Sequence, residues 1–293
     1  MSQSPNKPLT SKIYVEGRYN KYCRDLPQTI FYCPECKGHP RRRKKCEHCE
    51  GFGKLTKDSV QELIAWVAGK QFGTRKNKFH GSGREDIDVR MLGTGRPFVF
   101  ELNNAKIHDV DLAELEEEIN RRNEGRMAVR NLHYSEKTRV VILKESKHAK
   151  EYEALVAVDG AFDADKIKTI LEERVTIQQQ TPGRVAHRRA DLTRERWIEL
   201  LSVEPEADAP GELDKDGNEI PSGRARIRMR TAHGTYVKEV LSGESGRTEP
   251  NVGELLGAPC RCLELDVLGI LGEEGDEVAE KIVFQAPFGG GLE

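Results

Sequence analysis

No stretch of this 293-residue chain approaches the ~18 consecutive apolar residues that a membrane-spanning helix needs. The opening MSQSPNKPLTSK lacks the apolar core of a signal peptide, so the expectation is a cytoplasmic protein with no membrane partner. Charge of one sign is missing as well. Forty-seven Lys and Arg stand against 49 Asp and Glu, a net charge of −2, so total charge offers no argument for a nucleic-acid partner. Cysteine is not distributed as a disulfide framework would need: of seven, Cys23, Cys260 and Cys262 lie apart, and the other four come as two close pairs.

Those pairs, CPEC with Cys33 and Cys36 and CEHC with Cys46 and Cys49, have the spacing of a closed tetrahedral zinc site. Four thiolates complete the shell, so the zinc is expected to be structural, with His39 and His48 as bystanders. Between the pairs runs KGHPRRRKK, whose Arg41 to Lys45 are consecutive bases. Charge is in fact segregated along the chain. Residues 1–60 hold 13 basic against 6 acidic side chains, while Glu204 to Glu219 hold seven acids and one lysine, so a basic face is compatible with a neutral total.

The most charged constrained stretch is GSGREDIDVRMLGTGRPFVFEL, Gly81 to Leu102. Arg84, Glu85, Asp86, Asp88 and Arg90 stand between Gly81 and Gly83 on one side and Gly93, Gly95 and Pro97 on the other, residues that permit sharp turns and close backbone approach. Three acids within four positions fit two chemistries, a divalent-metal site or one nucleophilic carboxylate with charged neighbours.

Around this motif the periodicities predict a mixed α/β (α+β) fold: a mostly antiparallel central sheet, flanking helices and a small zinc-ribbon-like module. A helix with Asp58 as cap carries Val60, Leu63, Ile64 and Val67 inward, and another opens at Asp111. A third opens at Asp163. The run EYEALVAVDG alternates as a strand with Tyr152, Ala154, Val156 and Val158 on one face. RARIRMRT alternates too, and sets Arg224, Arg226, Arg228 and Arg230 in a ladder that repels itself unless an anion covers it or acids of a neighbouring strand pair with it. TPGRVAHRRADLTRERW holds Arg184, His187, Arg188, Arg189, Arg194 and Arg196 against two acids, a pattern favouring contact with an RNA backbone. No serine or cysteine motif stands near His187 to suggest a triad. IYVEGRYNKYCRDLPQT mixes tyrosines with Arg18, Lys21 and Arg24, which suits either stacking on nucleic acid or a strand with solvated bases.

GRED followed by DVRMLGTGRPFVFEL closely resembles the catalytic motif of the archaeal and eukaryotic tRNA pseudouridine synthases that modify uridines 54 and 55 of the T loop. EGRYNKYCRDLPQT, KEYEALV, TPGRVAHRR and GTYVKE are similar to further segments of the same family, and the likeness runs from about Ile13 to Gly272. It implies the pseudouridine synthase fold in a catalytic domain over 13–272. The zinc knuckle is then an insertion at 31–53 and the acidic stretch 204–223 a variable, exposed loop; 1–12 is expected to be disordered and 273–293 a trailing tail.

It further implies that Asp86 is the nucleophile and that Lys238 favours its ionised form by positive charge, against the desolvation that raises a buried acid's pKa. Tyr152, Tyr236 and Leu265 line the base pocket, and Arg84, Arg188 and Arg189 meet the substrate. The reaction needs no catalytic cofactor. It does need the uridine extruded from its stack, at about a few kcal/mol. Attack on the sugar and removal of a sugar proton are both open to the Asp86 carboxylate. The family's usual N-terminal THUMP domain does not precede the motifs here, so tRNA docking by a separate THUMP-type protein is one expectation.

Overall fold

The computed structural model describes residues 12–214 and 216–272, which fall into two compact units, one ending at Ser146 and the other starting at Lys147. The expected tail at 273–293 lies outside the described residues, as does the expected disordered N-terminus except for Lys12, which opens a strand. Among the described residues no helix is long and apolar enough to cross a membrane. Fold class is as the periodicities predict, α/β, with antiparallel pairing between the named strands within each unit and one isolated parallel bridge, Leu171 to Leu200.

The first unit contains β1 (Lys12–Lys21), α1 (Pro40–Arg43), α2 (Val60–Gln71), β2 (Lys76–Gly81), β3 (Arg90–Asn103), α3 (Leu112–Arg122), β4 (Met127–Ser135) and α4 (Lys137–Glu145). Strands run in the order β4-β1-β3-β2, every neighbour antiparallel. The core is apolar and aromatic: Phe79 stacks on Phe98 with centroids 5.2 Å apart, and Tyr19 meets Phe79 edge-on at 5.7 Å. Leu115 and Ile119 of α3 are buried, and Asp111 caps that helix by accepting from the amides of Ala113 and Glu114. The cap of α2 is Ser59 and not Asp58. Ser59 accepts from the Glu62 amide, whereas Asp58 is drawn off into an ion pair with Arg126 at 2.9 Å.

The second unit contains β5 (Lys150–Val158), α5 (Ala164–Ile170), β6 (Arg174–Gln180), α6 (Gly183–Ala186), β7 (Thr193–Glu206), β8 (Gly223–Thr231), α7 (Val237–Ser242), β9 (Thr248–Glu249), α8 (Val252–Leu256) and β10 (Cys260–Ile270). Its strand order is β10-β5-β8-β7-β6-β9. Register fixes two chemically different faces. One carries Tyr152, Ala154, Met229, Ile227, Leu200 and Leu265, because Tyr152 stands opposite Met229 and Val267, and Ala154 opposite Ile227 and Leu265. The other carries the arginine ladder, which is paired from neighbouring strands. Glu151 accepts from Arg230 at 3.0 Å and also pairs with Arg228, and Arg226 reaches Glu153 and Glu206. At the top of the ladder Arg224 pairs with Glu212 of the acidic loop, whose Asp214 in turn holds Arg261. Of the two resolutions open to the ladder, pairing with protein acids is the one realised.

Candidate active site

The charged motif is a loop between β2 and β3, and its shape follows from one buried ionic network. Glu85 is turned inward, and Arg96 Nε donates to it at 2.7 Å. The Tyr19 hydroxyl sits 2.8 Å from both Glu85 oxygens, and Gln28 Nε2 donates to that hydroxyl and to the carbonyl of Gly83. Arg96 Nη1 also donates to the carbonyl of Ser82, whose amide donates to that of Pro97. The backbone runs so close to Gln28 at Gly81 that an added Cβ would stand 2.8 Å from Nε2. Burial first and the Glu85 charge second hold the Tyr19 phenol well above its ordinary pKa, so it remains a donor.

A second anchor is Lys21. It is fully buried at the end of β1, where its Nζ donates to three carbonyls, those of Leu26 at 2.8 Å, Ile87 at 3.0 Å and Asp86 at 3.1 Å. Burial lowers its pKa, and the carbonyls satisfy its donors without a carboxylate. The amide of Val89 donates to the same Asp86 carbonyl, closing a turn. Asp86 is thereby gripped by its backbone, half-buried, between exposed Arg84 and exposed Asp88. The acids do not converge. With Glu85 committed to Arg96 and Tyr19, the motif is not a three-carboxylate metal site, and among the described residues the one His, Cys, Asp and Glu group with metal-ligand spacing is the cysteine set. Of the two readings of IYVEGRYNKYC, neither holds for Tyr19 and Lys21. They are interior supports of the motif loop, not stacking or solvated groups.

In the second unit, Tyr152 and Leu265 lie on the same buried face of β5 and β10, diagonal to one another across the pair. Tyr236 is the N-cap of α7. Its amide donates to Gln179 Oε1 at 2.8 Å and its carbonyl accepts from Gln179 Nε2 at 3.1 Å, so a buried glutamine on β6 holds both backbone polar groups of Tyr236. Arg184 lies 5.9 Å from the Tyr236 ring and donates to Glu239 at 2.6 Å. Lys238 is half-buried on the first turn of α7, and Arg188 and Arg189 are exposed just after α6. Asp86 and Arg84 belong to the first unit; Tyr152, Arg188, Arg189, Tyr236, Lys238 and Leu265 belong to the second. Reading the sequence missed the Glu85–Arg96–Tyr19–Gln28 network, Lys21 and Gln179. Only Gln179 left a signal: in TIQQQ it shares the strand parity of buried Ile177.

Cys33, Cys36, Cys46 and Cys49 bring their sulfurs within 4.8 Å of one another, with Cys33 to Cys46 and Cys36 to Cys49 each at 3.7 Å. A tetrahedron with Zn–S bonds of about 2.3 Å requires sulfurs roughly 3.8 Å apart. The donor set therefore fits a structural zinc ion. Two turns supply the pairs, and positive φ at Lys37, Gly38, Glu50 and Gly51 ends each.

The family model described as "Pus10, C-terminal" matches residues 14–270. Among curated proteins, the tRNA pseudouridine synthase Pus10 of Methanothermobacter marburgensis is 44% identical over 261 residues, 88% of this chain and 60% of its own length. The protein of that name from Methanopyrus kandleri is 41% identical over 268 residues, 90% of this chain and 57% of its own. The chain thus spans somewhat over half the length of these relatives. A solved chain of a Cbf5-Nop10-Gar1 complex is similar at 18% identity and a TM-score of 0.36, over 71% of this chain and 44% of that one.

Proposed function

The chain belongs to the Pus10 C-terminal family, and from that premise we propose that it converts uridine to pseudouridine in the T loop of tRNA, at position 54, 55 or both. The reaction is an isomerisation. The N1–C1′ bond breaks, the uracil turns, C5–C1′ forms, and the proton lost from C5 is balanced by one gained at N1, so neither redox partner nor catalytic cofactor is consumed.

Asp86 is the nucleophile. The observation that carries this role is the division of labour in the motif: Glu85 is buried against Arg96 and Tyr19 as a support, while half-buried Asp86 next to it is fixed through its backbone carbonyl by Lys21. Tyr152, Tyr236 and Leu265 hold the flipped-out base, and Lys238 is the second catalytic residue. Arg84, Arg188 and Arg189 meet the RNA backbone. Cys33, Cys36, Cys46 and Cys49 hold a structural zinc. The fold is that of the pseudouridine synthases, with the catalytic domain over 13–272, and the enzyme works in the cytoplasm.

The test is base-resolved mapping of pseudouridine in unmodified tRNA transcript. Wild type is expected to form it in the T loop in the presence of chelator so long as the structural zinc stays bound, and Asp86→Ala is expected to bind tRNA and form none. If wild type alone is inactive, a THUMP-domain protein added in trans is expected to restore product. Product from Asp86→Ala would remove the assigned nucleophile.

A further inference from the structure

The sheet of the second unit bears cations on both faces, and the two differ in how their charge is met. On the ladder face Arg226, Arg228 and Arg230 are cancelled by Glu151, Glu153 and Glu206. On the face of Tyr152 and Leu265, the pairing carries Lys150 opposite Thr231 and Thr231 opposite Ile198. Two residues before Ile198, Arg196 stands opposite Ile177, and two before that Arg194 stands opposite Gln179, the residue that grips Tyr236.

Among the described residues no carboxylate reaches Arg194 or Arg196. Arg194 donates to the Thr181 hydroxyl at 3.0 Å. Arg196 Nη1 donates only to the carbonyl of its neighbour Glu195, at 2.7 Å, and its Nε is buried with no acceptor. Its Nη2 lies 3.5 Å from where a Cβ on Gly234 would stand, which puts the guanidinium against the His233–Gly234 turn. His148 Nδ1 is a second buried atom with no partner, and the His148 carbonyl accepts from Lys150 at 3.0 Å. His233 has its pKa lowered by burial and then by Lys150, Arg196, His148 and Lys147, so the charges acting on it most are all positive. Burial lowers Arg196 too, with Arg194 adding to the effect and Tyr236 opposing it.

Buried donors in folded proteins have acceptors, and a guanidinium that no protein acid meets attracts an anion from outside. We propose that Arg196, packed against the His233–Gly234 turn, binds a backbone phosphate of the RNA beside the nucleotide held by Tyr152, Tyr236 and Leu265. A guanidinium suits this because its fork matches two phosphate oxygens. The site rests on the functional reading above and adds a positioning residue to it: the loud arginine ladder is spent inside the protein, and the quiet Arg196 meets the substrate.

The experiment compares tRNA affinity as a function of salt for Asp86→Ala with that of the same protein carrying Arg196→Gln, Arg196→Lys or Arg228→Gln, each confirmed as folded by its melting curve. Arg196→Gln is expected to lower the slope of log K against log salt by about 0.8, the share of one phosphate contact. Arg196→Lys is expected to retain most of it, and Arg228→Gln, on the ladder, to leave it unchanged. With Asp86 intact, Arg196→Gln should raise KM more than it lowers kcat. An unchanged slope in folded Arg196→Gln, or an equal fall in Arg228→Gln, overturns the site. Pseudouridine formed by wild type together with an unchanged slope would sink the site and spare the functional reading; an Arg196-dependent slope with no pseudouridine would do the reverse.

Discussion

Arg96 Nε donates to Glu85 Oε2 at 2.7 Å, and the two side chains are only 2% and 1% exposed. A buried ion pair of this kind is weak as a stabilising device, since desolvating both groups offsets most of their attraction. Its value here is positional. Glu85 directly precedes Asp86, so fixing the glutamate inward fixes which way the next residue leaves the loop, and the Ser82 carbonyl on the same guanidinium fixes where the loop begins.

Removing one partner should be far costlier than the pair is beneficial. Arg96→Ala leaves a carboxylate buried without its cation and is expected to lose about 3–5 kcal/mol of stability. Denaturant midpoints of wild type and variant measure this directly. A loss under about 1 kcal/mol would mean that the network relaxes or that water enters, and the positional account would fail with it.

Lys21→Met tests the other anchor. Methionine keeps the buried stem but withdraws the donors to Leu26, Asp86 and Ile87, so the loop loses its grip on the Asp86 carbonyl. The expected outcome is a fall in kcat of about tenfold or more with KM little changed, because the loss falls on orientation of the proposed nucleophile and not on tRNA contact. A rise in KM at constant kcat would assign Lys21 to substrate binding instead.

Much of this arrangement was legible beforehand where a local rule applied. Caps at Asp111 and Asp163, alternation in EYEALVAV and RARIRMRT, and the paired CxxC spacing each depend on residues near one another in sequence. Tyr19, Lys21, Gln28 and Arg96 were illegible because their roles come from partners up to 66 positions away. Nothing in GRYNKY says that its tyrosine and lysine point inward; that depends on strand register against β3. The ladder misdirected attention for a related reason. Four arginines at alternate positions announce a basic face, and only the pairing of β8 with β5 and β7 brings Glu151, Glu153 and Glu206 to them.

Glu16 on β1 should make the first unit acid-sensitive. Its carboxyl sits below the ordinary value of 4.5 chiefly because Arg139 hydrogen-bonds it, with Ser135 helping and burial opposing. A carboxyl whose folded pKa is depressed binds a proton more readily when unfolded. Its contribution is therefore complete above about 4.5 and is lost as pH falls through the folded value. The stability gap between wild type and Glu16→Gln should be widest near neutral pH and close as the solution is acidified. A gap that stays constant with pH would show that the carboxylate charge is not what Arg139 requires.

The cysteine module has almost no core apart from its four sulfurs: Cys33, Cys36 and Cys49 are buried, Cys46 packs against them, and Phe31, Tyr32 and Phe52 are exposed. So small a unit has little apolar burial to hold it, and the proposed zinc would supply the missing free energy. Native mass spectrometry is expected to show one zinc per chain, lost in Cys33→Ser. Limited proteolysis of the metal-free protein should then cut within 31–53 and spare the rest, because Ser59 caps α2 and Gln28 joins the Glu85 network from outside that segment. Intact resistance to protease after the metal is removed would show that the sulfurs pack as ordinary thiols and that the segment is stabilised by contacts other than an ion.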